Sequence, residues 1–278
     1  MLLEFQRAMG STLKRILTAA VLIPLVVALV LWAPRWLFAL AVLPFVWLAL
    51  WEYLELAGRT GPVPTRWTLY LLSLGLLLAA WLTPGQLLAV LVGAVLVVLA
   101  VELFRRPALV ELLPAASAGL FGLFYTAVPF ALMISLRESR QGPRIILYAL
   151  LLIWVGDTAA YFAGRAVGRH KLAPTISPGK TVEGSVASLV VTVGIGFWLF
   201  RLWFPSFAVA HALLLPLSVN LLAQVGDLAE SALKRGAGVK DSSAVLPGHG
   251  GMLDRIDSLL FALPGVWYYW NWLLLGGG

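Results

Sequence analysis

Apolar runs close to 20 residues long recur along the whole chain, and they constrain its fold more than any other feature. Hydrophobic residues make up 61% of the 278 residues, and charged residues only 12%. A helix needs roughly 20 apolar residues to cross a bilayer, where its backbone must satisfy its hydrogen bonds internally. The runs lack the apolar and polar alternation of outer-membrane strands. The sequence therefore predicts an all-α polytopic integral membrane protein.

Nine transmembrane helices are predicted, with the N-terminus in the cytoplasm, because most of the 20 Lys and Arg residues then fall in inner loops. A cluster at Arg137, Arg140 and Arg144 in a predicted outer loop opposes this topology. The first apolar run precedes LWAPRW rather than a small-residue cleavage site, which favours a retained span over a secretory signal. The predicted spans cover residues 16–33, 36–51, 67–82, 86–101, 112–134, 145–164, 185–204, 208–226 and 258–275.

A single membrane domain over residues 1–278 is predicted, because no linker or low-complexity segment divides the chain. More than half of the 13 acidic residues lie between positions 157 and 257, and the acids before residue 135 are expected at loop edges. Residues 1–135 are therefore predicted to be mainly structural spans. Residues 150–260 are predicted to carry the chemistry, with cytoplasmic loops at 165–184 and 227–257. The absence of cysteine excludes disulfides, thiolate metal sites and Cys nucleophiles.

Two Asp residues follow Val-Gly within apolar runs, Asp157 in LLIWVGDTAAYFAGR and Asp227 in LLAQVGDLAESALKRG. A carboxylate inside a span costs about 2.5 to 3.5 kcal/mol on insertion scales, so each is expected to face a bundle interior. A helix continuing past Asp227 places Glu230, Ser231 and Lys234 on the same face. Both helices are predicted to end at the same side of the membrane, where their acids can converge. The alternatives are a solvated helix end at Asp157 and a solvated helical face after Asp227.

A second acidic pair begins the last predicted span, in MLDRIDSLLF. Asp254 and Asp257 are three residues apart, so they share a helical face and can hold a divalent cation between helices. The alternative is that two acids in a first turn simply complement the helix dipole.

The segment RAVGRHKLAPTISPGKTVEG, residues 165–184, combines cations with Pro and Gly. It contains GKT, but Pro174 stands where a P-loop requires Gly, so it is not a nucleotide-binding P-loop. Ser177, Lys180 and Thr181 form a set of donors suited to a phosphate. The alternative is a positively charged inner loop without a ligand.

The segment KRGAGVKDSSAVLPGHGGMLDR, from residue 234, extends this pattern. Its glycines allow close backbone approach to a ligand, and its cations supply positive charge. Carboxylates, cations and glycines together at a cytoplasmic face fit a magnesium-bound triphosphate. The residues predicted here to bind phosphate or nucleotide are Lys234, Arg235, Lys240, His249, Gly250, Gly251 and Arg255.

These motifs resemble the signature of the phosphatidate cytidylyltransferase (CDP-diacylglycerol synthase) family. The segment from Ser231 to Ser258, SALKRGAGVKDSSAVLPGHGGMLDRIDS, fills the fixed Ser, Lys-Arg, Lys-Asp, His-Gly-Gly, Asp-Arg and final Asp positions. The upstream segment DTAAYFAGRAVGRHKLAPTISPGKTVEG is also similar. It departs from the family pattern at Ala159, where Gly is expected, and at Gly179, where Lys is more usual. The Gly at position 179 leaves the segment with one cation fewer than the family pattern has. The N-terminal half is similar only in being apolar.

The resemblance implies that phosphatidic acid attacks the α-phosphorus of CTP, forming CDP-diacylglycerol and releasing pyrophosphate, in phospholipid biosynthesis. It also implies Mg²⁺, a second, monovalent cation such as K⁺, and a homodimer. The expected location is the cytoplasmic membrane among its lipids, with the active site facing the cytoplasm, and no nucleic-acid partner is expected.

The residue roles expected from the resemblance and the spacings fall into three groups. Asp227 and Asp254 hold Mg²⁺, and Asp257 or Asp241 shapes the second cation site. His249 either donates to a phosphate or protonates the leaving pyrophosphate. The phosphates are expected to contact Ser177, Lys180, Thr181, Ser231, Lys234, Arg235, Lys240, Gly250, Gly251 and Arg255, of which Lys234 and Lys240 are expected to be catalytic.

Two other classes of protein share part of this pattern. A secondary transporter also has acids within its spans and discontinuous helices, but it does not need a long loop rich in Gly, Lys and Asp. A different membrane CDP-lipid transferase, the CDP-alcohol phosphotransferase, has a string of four Asp beginning Asp-Gly-x-x-Ala-Arg, which is absent from this sequence.

Overall fold

A computed structural model describes residues 20, 22–106, 108–243, 245 and 250–274. The start of the first predicted span and the predicted site residue His249 lie outside the described residues. The α-helices are α1 Leu22–Trp32, α2 Arg35–Ala57, α3 Arg66–Leu82, α4 Leu87–Arg105, α5 Leu112–Gly122, α6 Val128–Arg137, α7 Gly142–Val167, α8 Val182–Trp203, α9 Val209–Gly236 and α10 Leu253–Tyr268. A π-helical turn, Leu123–Ala127, joins α5 to α6, and another, Tyr269–Leu274, continues α10.

Long apolar helices confirm an integral membrane protein. Within the described ranges, 6 helical segments are long and apolar enough to cross a bilayer. Helices α1, α3 and α10 overlap the other predicted spans, but each has fewer than the 18 residues required of a candidate span, with 17 residues in α3 and 16 in α10. The count of nine spans and the orientation of the N-terminus therefore stay predictions. The six segments are Arg35–Ala57, Pro84–Arg105, Leu109–Arg137, Gly142–Val167, Val182–Trp203 and Val209–Gly236.

The chain is mainly α-helical, as the predicted all-α class requires, but it contains a small sheet that was not predicted. Strands β1, Lys171–Ala173, and β2, Ser177–Thr181, form an antiparallel hairpin within the predicted loop 165–184. Pro178 and Gly179 lie inside β2, and both residue types are disfavoured within strands, which is why the sequence does not indicate one. The other predicted loop, 227–257, is also shorter than expected. Because α9 continues to Gly236 and α10 begins at Leu253, the connecting loop comprises only residues 237–252.

The C-terminal helices pack in sequence order, α7 on α8, α8 on α9 and α9 on α10, while α2 and α6 also contact α10. Small residues permit close approach at these contacts, as is common between membrane helices. A Cβ added at Gly226 in α9 would lie 2.6 Å from the Asp257 carbonyl oxygen in α10. The backbones of α9 and α10 therefore meet directly beside Asp227 and Asp257.

Polar side chains inside the bundle hold α8 against α9. The Asn220 amide donates hydrogen bonds to Ser188 Oγ at 2.8 Å and to Thr192 Oγ1 at 3.0 Å, and Gln224 donates to Asn220 Oδ1 at 2.6 Å. Such hydrogen bonds fix the rotation of a helix where lipid supplies no directional force. The network therefore sets which face of α9 carries the acids that follow Gln224.

Candidate active site

A cavity of about 550 Å³ lies between α7, α8, α9 and the hairpin. Asp157 from α7, Lys180 from β2 and Asp227 from α9 all line it. The Lys180 ammonium forms an ion pair with Asp227, with Nζ 2.6 Å from Oδ2. The structure thus brings together the two Val-Gly-Asp carboxylates and the Lys of the predicted phosphate loop. Gln224, Arg165, Thr181 and Gly179 line the same cavity.

The hairpin is fixed at both of its ends. Thr181 caps the start of α8, where its Oγ1 accepts a hydrogen bond from the Gly184 N–H at 3.2 Å. At the turn, the Arg235 side chain of α9 donates to the Ile176 carbonyl at 3.1 Å. Because Ser177 and Lys180 are three residues apart in a strand, they face opposite sides, and among the described residues Lys180 lines the cavity whereas Ser177 does not. Of the predicted trio, Lys180 and Thr181 therefore line the cavity, Thr181 also caps α8, and Ser177 lies on the other face of the strand from Lys180.

A second group of charges lies where α9 meets α10. Lys234 is buried, and its ammonium forms ion pairs with Glu230, at 2.7 Å, and with Asp254. The other Asp254 oxygen, Oδ2, accepts hydrogen bonds from the Ser242 N–H at 3.2 Å, from the Ser242 hydroxyl at 2.8 Å and from the Gly251 N–H at 2.9 Å. Since α9 is continuous through this region, Asp227 and Lys234 project from the same helical face, as predicted.

Asp254 lies in the first turn of α10, ahead of the predicted span 258–275. Burial alone would raise the pKa of this carboxyl group. Hydrogen bonds from Lys234, Gly251 and Ser242 outweigh burial and lower the pKa to about 2. Asp254 is therefore ionised throughout the neutral pH range and carries a fixed negative charge.

Asp257 connects the two groups of charges. Its Oδ1 accepts a hydrogen bond from the Ser258 N–H at 2.6 Å, and its carboxylate interacts electrostatically with Asp227, Glu230 and Asp157. Like charges gathered in this way favour a bound cation. Within the described part of the chain, no three His, Asp or Glu side chains converge closely enough to hold a metal ion by themselves. Mg²⁺ usually binds through one or two carboxylates plus water and substrate phosphates, so this donor set fits an ion that a substrate helps to hold.

Other predicted residues lie around these two groups. Lys240, Asp241 and Arg255 are exposed on the loop and the first turn of α10, whereas Ser231 is buried on α9. Gly250 has φ of 76°, in the left-handed region that glycine adopts most easily.

Gly251 has a packing reason to be glycine, because an added Cβ would lie 2.6 Å and 2.7 Å from the two carboxylate oxygens of Glu52. The sequence predicted instead that this glycine allows a ligand to approach.

Glu52 is the residue that sequence reasoning missed. It lies inside α2, which continues to Ala57, and is 0% exposed, so the expectation that early acids sit at loop edges is wrong for it. Its carboxylate accepts hydrogen bonds from the Ser242 and Ser243 hydroxyls and from the Met252 and Leu253 N–H groups, at 2.6 to 2.9 Å. The cost of burying a carboxylate would have pointed to Glu52 had the predicted span extended to Ala57, where α2 ends.

Known proteins resemble this chain over half of its length or more. Two proteins named phosphatidate cytidylyltransferase, from Staphylococcus saprophyticus and Staphylococcus haemolyticus, are 44% and 43% identical over 147 residues, or 52% of this chain. The chain spans about half the length of these two relatives, 55% of each. A Haemophilus influenzae protein of the same name is 34% identical over 94% of this chain and 99% of its own length. The profile of the Cytidylyltransferase family matches residues 13–273, and the chain therefore belongs to that family.

Proposed function

We propose that this chain is a phosphatidate cytidylyltransferase, which converts CTP and phosphatidate into CDP-diacylglycerol and diphosphate. The observation that carries the proposal is the charge arrangement along α9. Asp227 pairs with Lys180 of the hairpin, and Lys234, on the same face of α9, pairs with Asp254 of α10. Carboxylates and ammonium groups alternating along one surface complement a metal-bound triphosphate. The names of the relatives support this choice of substrates.

The reaction requires a new bond between a phosphatidate oxygen and the α-phosphorus of CTP, and cleavage of the bond from that phosphorus to the β-phosphate bridging oxygen. The phosphatidate monoester is already an oxyanion, so no covalent intermediate on the protein is needed. The tasks of the chain are to position two anions and to neutralise their charge. Lys180 and Lys234 serve this purpose by exchanging their carboxylate partners for phosphate oxygens when the substrates bind.

The carboxylates released by this exchange become available to hold cations. In the proposal, Asp227 and Asp254 hold Mg²⁺, while Asp257 or Asp241 lies beside a monovalent cation such as K⁺. Mg²⁺, when bound, supplies positive charge to the triphosphate. Arg235, Lys240 and Arg255 lie exposed at the same end of the bundle and extend the cationic surface toward the outer phosphates. We further propose a homodimer in the cytoplasmic membrane, with this end facing the cytoplasm.

The direct test incubates the purified protein with CTP and phosphatidate in mixed micelles and follows both diphosphate and CDP-diacylglycerol. We expect both products in equal amounts and loss of both when Mg²⁺ is chelated. Asp227→Asn and Asp254→Asn are each expected to lower turnover by about 100-fold or more while the protein still elutes as a folded species. The control is Glu55→Gln, which removes an exposed carboxylate paired with Arg66 and leaves the site intact.

Two outcomes contradict the proposal in different ways. If the wild-type protein releases no diphosphate, the function is wrong. If it does but both Asn variants retain turnover, the assignment of the metal ligands is wrong. Substrate-driven uptake into liposomes without diphosphate release would favour a transporter instead.

A further inference from the structure

We infer that Glu52 is a positioning residue that holds the loop between α9 and α10, and with it Asp254, in the arrangement that the reaction requires. The inference rests on the proposed function for its kinetic consequences. Glu52 lies about 200 positions before the α10 residues that it contacts and on a different helix, so no local motif connects them. It does not line the cavity that Asp227 and Lys180 share, among the residues that the structure describes.

The Glu52 carboxylate is contacted by four donors, of which one, the Ser242 hydroxyl, has a single proton that it shares with Asp254. Oε1 accepts from the Met252 N–H at 2.8 Å and the Ser243 hydroxyl at 2.6 Å. Oε2 accepts from the Leu253 N–H at 2.7 Å and the Ser242 hydroxyl at 2.9 Å. The two N–H groups belong to Met252, the N-cap residue, and to Leu253, the first residue of α10, and N–H groups at a helix start have no carbonyl partner within the helix and attract negative charge. Glu52 therefore caps α10 from α2, a helix that is distant along the chain but in contact with α10.

Two neighbours of Glu52, Ser242 and Gly251, also contact Asp254. The Ser242 hydroxyl lies 2.9 Å from Glu52 Oε2 and 2.8 Å from Asp254 Oδ2, and the Gly251 N–H donates to that same Asp254 oxygen. Gly251 packs against Glu52 so closely that no side chain fits between them. A shift of the Glu52 carboxylate therefore displaces the groups that orient Asp254. Asp254 in turn pairs with Lys234, which carries the effect to α9.

Glutamine cannot replace Glu52 without conflict. Each carboxylate oxygen accepts one backbone N–H and one hydroxyl, so an amide NH₂ at either position would face a backbone N–H group. One N–H at the start of α10 would then be buried without an acceptor. The near-isosteric variant Glu52→Gln is therefore expected to disturb the loop while preserving the volume of the side chain.

Glu102 provides a matched control. It is also buried, at 2% exposure, and also accepts a backbone hydrogen bond, from the Thr65 N–H at 2.7 Å. Its other partner is Arg106, whose Nε lies 2.7 Å away. None of the contacts described for Glu102 involves the loop between α9 and α10, so Glu102→Gln tests the loss of a buried carboxylate without loosening that loop.

The kinetic arm compares Glu52→Gln with Glu102→Gln. For Glu52→Gln we expect kcat to fall by about 10- to 100-fold, with a higher Mg²⁺ concentration needed for half-maximal rate, as for other residues that orient a metal ligand. The KM for CTP should change less than kcat. Glu102→Gln should keep both kcat and the Mg²⁺ dependence even if it lowers the melting temperature. Ser243→Ala, which removes one donor to Glu52, should shift both parameters in the same direction as Glu52→Gln but by less.

The spectroscopic arm does not depend on activity. The chain contains no cysteine, so Val245→Cys introduces one attachment point for a nitroxide on the exposed part of the loop. We expect the nitroxide to be more mobile in the Glu52→Gln variant than in the wild type. In the Glu102→Gln variant its mobility should equal that of the wild type. If the wild type makes no CDP-diacylglycerol, the proposed function fails while this arm still decides the role of Glu52. Unchanged mobility and unchanged kinetics in Glu52→Gln, or equal changes in both glutamine variants, would overturn the inference.

Discussion

Lys180 connects the hairpin to helix α9 of the candidate site through its ion pair with Asp227. Its ammonium contacts Asp227, and side chains of both residues are partly accessible, at 25% and 34%. The Lys180 nitrogen itself is buried, but the Asp227 side chain is partly open to solvent, so the pair can be exchanged for other partners at less cost than one in which both side chains are fully enclosed. In the proposed mechanism, the exposed part of Asp227 gives a substrate phosphate access to the pair, and Lys180 releases the carboxylate and binds the phosphate within each catalytic cycle.

Lys180→Met should therefore lower turnover by about 100-fold, because it removes a cation placed where negative charge develops. The length of the side chain and its apolar part are retained, so the cavity should keep its shape. The measurement is diphosphate release at saturating CTP. Lys171→Met changes an exposed Lys on the neighbouring strand and should behave as the wild type does. Equal losses in the two variants would show that the overall charge of the hairpin matters rather than the contact with Asp227.

Among the elements, α8 depends on a residue that the sequence assigned to substrate binding. Thr181 accepts from the Gly184 N–H, which is the hydrogen bond of a helix N-cap, and it is 7% exposed. Thr181→Val should lower the stability of the folded protein by about 1 kcal/mol, since it removes the acceptor and keeps the shape. Thr181→Ser keeps the hydroxyl and should retain both stability and activity. Thermal unfolding in detergent distinguishes the variants, and a Thr181→Val protein with full stability but raised KM for CTP would favour the predicted substrate-binding role over the capping role.

The elements also show what the sequence can predict. Each predicted span overlaps helical structure among the described residues, because the length of an apolar run and the thickness of a bilayer impose the same limit. Asp157 and Asp227 stood out because an acid within such a run must have a reason to be there. The hairpin did not stand out in the sequence, because both strands are short and β2 contains Pro178 and Gly179. Glu52 was missed because its significance depends on residues 190 or more positions away, and no local pattern records such a pairing.

At the scale of the whole molecule, the residues of the candidate site lie at one end of the bundle, where α7 and α9 end and α8 and α10 begin. The proposed topology places this end in the cytoplasm. The cysteine-free chain allows a direct test with single substitutions. Gly61→Cys, between α2 and α3, and Val245→Cys should be protected from an impermeant maleimide in intact spheroplasts. Ser206→Cys, exposed between α8 and α9 at the opposite end, should be labelled.

Permeabilisation should expose the first two positions to the reagent, which controls for sites that are simply unreactive. Labelling of Gly61→Cys and Val245→Cys in intact cells, with protection of Ser206→Cys, would invert the topology and place the candidate site outside.

The contact between Glu52 and the start of α10 also sets an order of events during biosynthesis. The ribosome adds about 5 to 20 residues per second, so Glu52 is made roughly 10 to 40 s before Met252 and Leu253. Until Ser242 is made, shortly before Met252, the carboxylate has none of its eventual donors, and enclosing it among apolar helices would be costly. The early helices must therefore remain open to water at this end until the last part of the chain arrives. A ribosome that stops before residue 252 would leave an open assembly for quality-control proteases to recognise.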